Sequence, residues 1–440
     1  MVLDIDWKTG VYSMNDYKKR VADRLLERKL KSAGAVLIEG PKWCGKTTTA
    51  EQIAASVLYM DEPEKKEQNL RMAEIKPSLL LAGESPRLID EWQIAPTLWD
   101  SIRFSVDHGG TEGMFILTGS SVPADISKTE HSGTGRYARI KMRPMALFES
   151  GESNGEVSIK ALFEENPGES LASVNRLSVE EIAYLVCRGG WPRAVLQEDK
   201  EVALDQALNY YESVVNNDIS RADGVNRNEQ RARLLMRSYA RNQGAQASNA
   251  VLKADMDAND TWALDEDTVQ SYVNALKKIF VVEDMPAWNP NLRSKTVVRT
   301  SDTRYFVDPS IATAALGIYP KDLINDLNTF GLMFETMCIR DLRIYADALG
   351  GQLYHYRDKS GLECDAVMHL NNGSYGLIEI KLGGDTLIEH GAKTLKELAN
   401  KIETTRMSEP SFLMVLSGTD SYAYQRKDGV YVVPIGCLRD

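Results

Sequence analysis

The chain has 440 residues, enough for roughly two or three domains, and 43% of them are apolar, which is ample for buried cores. A formal net charge of −11 argues against a wholesale nucleic-acid coat, while a local basic surface stays compatible with it. No apolar run approaches the ~20 residues of a membrane helix, and Met1 to Gly10 is too acidic and polar for a signal peptide. The five cysteines (Cys44, Cys187, Cys338, Cys364, Cys437) form no C-x-x-C pair, and the five histidines are equally dispersed. The expectation is a soluble cytoplasmic protein without membrane contact or structural zinc.

Asp16 to Ala33 carries Val21, Leu25, Leu26 and Leu30 at helical spacing and predicts a leading helix. Ala35 to Ile38 then reads as a buried parallel strand. The run Gly40-Pro41-Lys42-Trp43-Cys44-Gly45-Lys46-Thr47 fits G-x-x-x-x-G-K-[ST] at every fixed position, and Thr48 to Val57 reads as the following helix. Inward N–H groups of such a loop, with the positive end of a helix, hold phosphate oxygens. Gly40 and Gly45 permit backbone geometry that a Cβ would obstruct. Lys46 reaches the β and γ phosphates of ATP, and the Thr47 hydroxyl suits Mg²⁺. Thr48 completes the expected nucleotide contacts.

Ser56 to Met60 predicts the next strand, and the charged segment through Lys76 a solvated helix or loop. Arg87-Leu88-Ile89-Asp90-Glu91-Trp92 reads as a short apolar strand ending in two acids. Asp90 is the candidate for the metal shell and Glu91 for polarising the attacking water, against a plain strand-end turn. Met114 to Ser121 is an apolar strand that opens into small polar residues. At the carboxyl edge of a parallel sheet, Thr118 or Ser120 would face the γ-phosphate, with Thr118 the preferred sensor. Turn chemistry is the alternative.

These motifs, with Gly135-Arg136…Arg143-Pro144-Met145, Gly189-Gly190-Trp191-Pro192 and Asn217-Asp218-Ile219, resemble a family of prokaryotic AAA-type ATPases fused to a largely unassigned carboxyl-terminal domain. The similarity runs from about residue 18 to about residue 385. Asn217 replaces the family's basic residue. The resemblance implies an arginine supplied across a subunit boundary of a homo-oligomer or from a lid. Arg136 matches best, with Arg139 and Arg143 as substitutes and a surface arginine as the alternative.

Gly151 to Asn166 is acidic and rich in small residues, which predicts a soft link. Val179 to Cys187 and Val202 to Val215 are helical by spacing. Arg221 to Lys253 holds seven basic residues (Arg221, Arg227, Arg231, Arg233, Arg237, Arg241, Lys253) against Asp223 and Glu229 as its only acids. It is the first place to seek phosphate contacts with DNA or RNA, although a solvated face is the commoner use of such a run. Helices over Leu234 to Gln243, Ala247 to Ala254 and Glu266 to Phe280, then strands from Val281 to Met285 and on to Val307, follow the order of a winged helix. Asp265, Glu266 and Asp267 at the start of its third helix would repel groove phosphates, which favours packing or protein contact.

From Gly331 the pattern gives a helix carrying Glu335, strands over Gln352 to Arg357, Leu362 to Leu370 and Tyr375 to Leu382, and a turn at Asn371-Asn372-Gly373-Ser374. Folding about that turn brings Asp365 within one register step of Glu379, and Lys381 shares the face of Glu379. A helix over Glu389 to Ile402 and a strand over Ser411 to Leu416 would finish the domain. Asp365 with Glu379-x-Lys381 resembles the PD-(D/E)xK, restriction-endonuclease-like superfamily. That resemblance implies metal ligation by Glu335, Asp365 and Glu379 and catalysis assisted by Lys381, against an amphipathic hairpin with a solvated face.

The expected architecture is α/β: an AAA-type ATPase core (16–150), a helical lid (167–225), a winged-helix-like domain (226–310) and a nuclease-like α/β domain (325–440). The expected function is an ATP- and Mg²⁺-dependent ATPase controlling a nucleic-acid effector. The alternatives are an ATP-gated switch for a protein partner with a silent carboxyl-terminal domain and, least favoured, a small-molecule kinase.

Overall fold

A computed structural model describes residues 17–121, 134–164, 172–258, 265–290, 301–402 and 407–440. The readings of Met1 to Gly10, and of strands across 291–300, lie outside the described residues.

The leading helix α1 (Val21–Leu30) is shorter than its periodicity suggests, because Asp23 accepts the Arg20 N–H at 2.8 Å and sets the start there. It delivers the chain to β1 (Ala35–Glu39), α2 (Lys46–Glu51), β2 (Ser56–Tyr59), α3 (Lys66–Ile75), β3 (Arg87–Asp90), α4 (Leu98–Gly109), β4 (Phe115–Gly119), β5 (Tyr137–Lys141) and α5 (Leu147–Ser150). The sheet is parallel in the order β2-β3-β4-β1-β5. Ala35 to Ile38 is buried throughout because β1 lies between β4 and β5, with apolar clusters on both faces. The helix after the glycine-rich loop does not run to Val57. It ends at Glu51, because the Ala55 N–H already bonds Pro86 O at 2.8 Å and Ser56 has joined the sheet edge. Register sets Glu39 opposite Gly119, so the loops after β1, β3 and β4 meet at one carboxyl edge.

The segment after α5 is not a soft link. Within it, β6 (Val157–Ser158) pairs in parallel with β13 (Leu438–Arg439), and Ser153 Oγ donates to Leu438 O at 2.7 Å. Next come α6 (Ile159–Phe163), α7 (Val179–Arg188), α8 (Pro192–Val195) and α9 (Lys200–Ser213). A π-helical turn (Val214–Asp218) leads to α10 (Ile219–Arg221), then α11 (Glu229–Arg241), α12 (Asn249–Asp257) and α13 (Glu266–Lys278). The Asp265 side chain caps α13, accepting the Thr268 N–H at 2.6 Å. Instead of the strands expected to follow α13, the described residues hold isolated antiparallel bridges, Val282 to Phe306 and Met285 to Thr303.

The chain closes with α14 (Pro309–Leu316), α15 (Pro320–Asn325), α16 (Leu327–Ala348), β7 (Gly351–Arg357), β8 (Glu363–Leu370), β9 (Tyr375–Lys381), α17 (Asp385–Lys401), β10 (Phe412–Ser417), β11 (Tyr424–Gln425) and β12 (Tyr431–Pro434) before β13. The second sheet has the order β11-β12-β10-β9-β8-β7; β7, β8 and β9 are antiparallel neighbours, and β10 runs parallel to β9. One contiguous apolar core joins Ile38 of the first sheet to Trp191, Phe306, Phe334 on α16 and Leu416 of the second sheet. No described helix is long and apolar enough to cross a membrane.

Candidate functional site

The loop between β1 and α2 approaches its neighbours too closely for a side chain at Gly40, where a Cβ would lie 2.1 Å from Met142 O. Gly45 holds φ +98°, a left-handed value that glycine adopts without strain. Lys46 is buried, and its ammonium donates to Gly40 O at 3.0 Å and Pro41 O at 2.8 Å. Thr47 Oγ1 donates to Asp90 Oδ1 at 2.7 Å, and Thr118 Oγ1 donates to the same oxygen. Glu91 follows in a left-handed conformation, φ +54°, and accepts from Gln93 Nε2 and, at 3.1 Å, from Ser120 Oγ. Burial pushes the Glu91 carboxyl above its ordinary range, with Lys46 pulling the other way.

A cavity of about 690 Å³ opens over this loop, with Trp43, Lys46, Thr47, Thr48, Glu91 and Ser120 on its wall. Pro192, Arg193 and Leu196, from α8 and the residue after it, and Tyr17, ahead of α1, complete it. Two sequence expectations change here. Thr118 is fully buried on Asp90, so it positions that carboxylate, and Ser120 is the hydroxyl at the cavity. Lys42 stays on the cavity wall, where its ammonium lies 2.6 Å from Asp218 of the π-helical turn. Cys44 packs inward, its Sγ 3.8 Å from Met142 O.

The three arginine candidates lie away from the cavity of their own chain. Arg136 precedes β5 and its carbonyl accepts the Ala35 N–H, which places it at the amino edge of a parallel sheet, opposite its own phosphate loop. Its guanidinium pairs with Asp107 at 2.7 Å. Arg139 pairs with Glu39 at 3.0 Å, and buried Arg143 with Glu283 at 2.8 Å and Asp347 at 2.7 Å. None of the three is on the cavity wall. The cavity residues that sequence reasoning missed include Tyr17, Arg20 and Arg193, all brought in by tertiary packing. Only Arg193, directly after Gly189-Gly190-Trp191-Pro192, had a signal beside it.

At the second sheet, extending the β8–β9 register one step past Ala366 and Ile378 sets Asp365 opposite Glu379. Lys381 Nζ lies 3.0 Å from Asp365 and 2.6 Å from Glu379. Burial and then Asp365 push Glu379 up to about 8 and Glu335 up to about 7. The three-carboxylate metal set is not assembled. Lys381 occupies the bridging position between Asp365 and Glu379, and Tyr305 OH donates to Glu335. Among the described residues, no group of three or more His, Cys, Asp or Glu is placed to hold a metal ion.

The basic stretch is largely neutralised by partners, several from beyond its own window. Arg227 pairs with Asp223 at 2.6 Å and Arg233 with Glu212 at 2.6 Å. Arg241 pairs with Asp255 and Lys253 with Asp257, each at 2.5 Å. This leaves fewer charges for phosphate contacts than composition suggests.

A third network ties the two halves together. Asp308 accepts from Gly190 N at 3.0 Å and from Arg340 Nη1, on α16, at 2.8 Å. Gly190 O accepts the N–H of Met145, a cavity residue, at 2.6 Å, and Asp341 accepts the Leu147 N–H at 2.9 Å.

Residues 32–150 match the family model described as an AAA domain. Residues 179–322 and 330–438 match two models described as domains of unknown function, DUF8612 and DUF4143. Two curated relatives are uncharacterized protein Rv2008c of Mycobacterium tuberculosis and uncharacterized protein Mb2031c of Mycobacterium bovis. Each is 25% identical over 366 residues, which is 83% of this chain and 74% of the relative. Among solved structures, a Walker-type ATPase of Pyrococcus abyssi aligns over 69% of this chain and 97% of its own. Its identity is 15% and its TM-score 0.42, a likeness too loose to bear on the site. The glycine-rich loop and the acids Asp90 and Glu91 thus lie within the residues that match the AAA domain, and two further regions of the chain match domains of unknown function.

Proposed function

We propose that the chain hydrolyses ATP in a Mg²⁺-dependent reaction and passes its nucleotide state to a nuclease-like carboxyl-terminal domain acting on nucleic acid. The observation that carries the ATPase reading is Asp90, which accepts from Thr47 and Thr118 with Glu91 next in sequence. Thr47 and Asp90, hard oxygen donors 2.7 Å apart, fit a magnesium ion and would hold one that supplies charge neutralisation at the phosphates. Lys46 binds phosphate oxygens. Glu91 takes the proton of the attacking water, Ser120 orients its carboxylate, and burial makes that carboxylate a stronger base.

The link from Gly190 through Asp308 and Arg340 to α16 supports coupling to the second domain, because α16 also carries Glu335. The helix–three-strand–helix–strand order from α16 to β10 and the Asp365, Glu379, Lys381 cluster support a nuclease-like fold. The protein-partner reading, with a silent carboxyl-terminal domain, draws on the paired state of the basic stretch.

The test is the ATPase rate with and without DNA, beside Lys46→Ala as the inactive reference. Stimulation by DNA supports the nucleic-acid effector, and indifference together with nucleotide-dependent protein binding supports the switch. Glu91→Gln is expected to keep ATP binding while turnover falls about 10²–10⁴-fold. Unchanged turnover would remove Glu91 from the mechanism.

A further inference from the structure

Arg20 stands outside every nucleotide-binding motif, yet it lies against the phosphate loop and on the wall of the same cavity. Its guanidinium is buried, with Nη1 donating to Cys44 O at 2.9 Å and Nη2 to Arg143 O at 2.8 Å. Its Nε faces Glu149 Oε1 at 3.1 Å, an ion pair with both side chains almost wholly buried. Glu149 is fixed in turn by the N–H groups of Val21 at 2.7 Å and Ala146 at 2.9 Å. One planar fork thus serves two main-chain carbonyls and one carboxylate, a task that the single ammonium of a lysine does not match.

The consequence lies on the other side of the peptide that Arg20 holds. In a trans peptide, C=O and N–H point in opposite directions. Holding the Cys44 carbonyl toward Arg20 therefore turns the Gly45 N–H away from the guanidinium, toward the inside of the loop where phosphate oxygens are received. Gly45 offers little resistance to peptide rotation, since it has no side chain and already sits at φ +98°. An unbraced Cys44–Gly45 peptide would lose that orientation.

We propose that Arg20 is a positioning residue of the nucleotide site: by gripping the Cys44 carbonyl it presets the Gly45 N–H for the phosphates shared by ATP and ADP. This rests on the ATPase reading. It predicts a loss of ground-state binding that leaves the chemical step alone, because a donor to phosphates common to substrate and product binds both the ground state and the transition state.

The test compares Glu149→Gln, which retains the guanidinium and its two carbonyl bonds, with the double variant Arg20→Met/Glu149→Gln, which removes the grip without leaving a buried charge unpaired. Calorimetric titration with ATP and with ADP, in magnesium, is expected to show about ten- to a hundredfold weaker binding of both in the double variant. The kcat at saturating ATP is expected to stay within about threefold, a split that simple destabilisation would not give. Should the double variant melt below the assay temperature, Arg20→Lys replaces it, with a loss of several-fold expected for both nucleotides. A folded variant that binds ATP and ADP within twofold of its reference overturns the assignment. Wild-type protein that binds no nucleotide brings down the ATPase reading and the assignment together, whereas binding unaffected by loss of Arg20 brings down the assignment alone.

Discussion

Asp308→Asn is the sharpest probe of how the ATPase domain is joined to the rest of the chain. Asp308 is fully buried and receives four hydrogen bonds: Arg340 Nη1 at 2.8 Å, Gly190 N at 3.0 Å, Ser310 N at 3.0 Å and Ser310 Oγ at 2.6 Å. Every neighbour is a donor, so either orientation of an asparagine amide turns an NH₂ toward another donor. Breaking a buried ion pair costs about 3–5 kcal/mol. Arg340 keeps Asp341 at 2.7 Å, which places the loss at the lower end, about 3 kcal/mol. For a cooperative unit of ~150–250 residues that is a fall in Tm of about 6–12 °C, readable by circular dichroism or calorimetry. The same substitution loosens Gly190, whose carbonyl holds the Met145 N–H at the cavity, so ATP affinity is expected to drop several-fold as well. A Tm within 2 °C of wild type would refute the idea that this carboxylate is the joint, and a lower Tm with unchanged ATP affinity would confine it to stability.

Glu335, at about 7, and Glu379, at about 8, are raised by burial first and Asp365 second. Both folded-state values lie above the ordinary 4.5, so the native state holds the extra protons; its stability is full below about pH 4.5 and is lost as pH climbs through 7 to 8. Glu379→Gln should flatten Tm against pH over that window, and an unchanged slope would count against the shift. Thr118→Val removes a buried hydroxyl from Asp90 and is expected to raise the Mg²⁺ concentration needed for half-maximal turnover, at a stability cost of about 1 kcal/mol. Lys381→Ala leaves Asp365 and Glu379 facing each other, so plasmid cleavage in Mg²⁺ or Mn²⁺ should vanish if the domain is a nuclease. Equal cleavage by wild type and variant would trace the activity to a contaminant.

The readings that match the structure are short-range. The phosphate loop lies between a strand and a helix because its glycines, Lys46 and Thr47 act within eight residues. Asp90 ends its strand with Glu91 directly after it, and Asp365 meets Glu379 because a two-fold side-chain repeat and a tight turn set the register. What local reading leaves open has a common cause. Arg136 sits at the amino edge because of the direction of β5 in a parallel sheet, which its sequence neighbours do not encode. Thr118 lies in β4 and Ser120 just past its end, and only packing shows that the first meets Asp90 and the second meets Glu91 at the cavity.

By itself, then, the sequence determined a phosphate-binding loop, a pair of acids at a strand end and an Asp/Glu/Lys hairpin, since each depends on backbone periodicity over a few residues. Tertiary structure alone decided what surrounds them: Arg20 against the loop, Asp218 on Lys42, Asp308 between Gly190 and Arg340, and acids on most of the basic stretch. Buried charges and carbonyls must find partners wherever the chain brings them, and that requirement is indifferent to distance along the sequence.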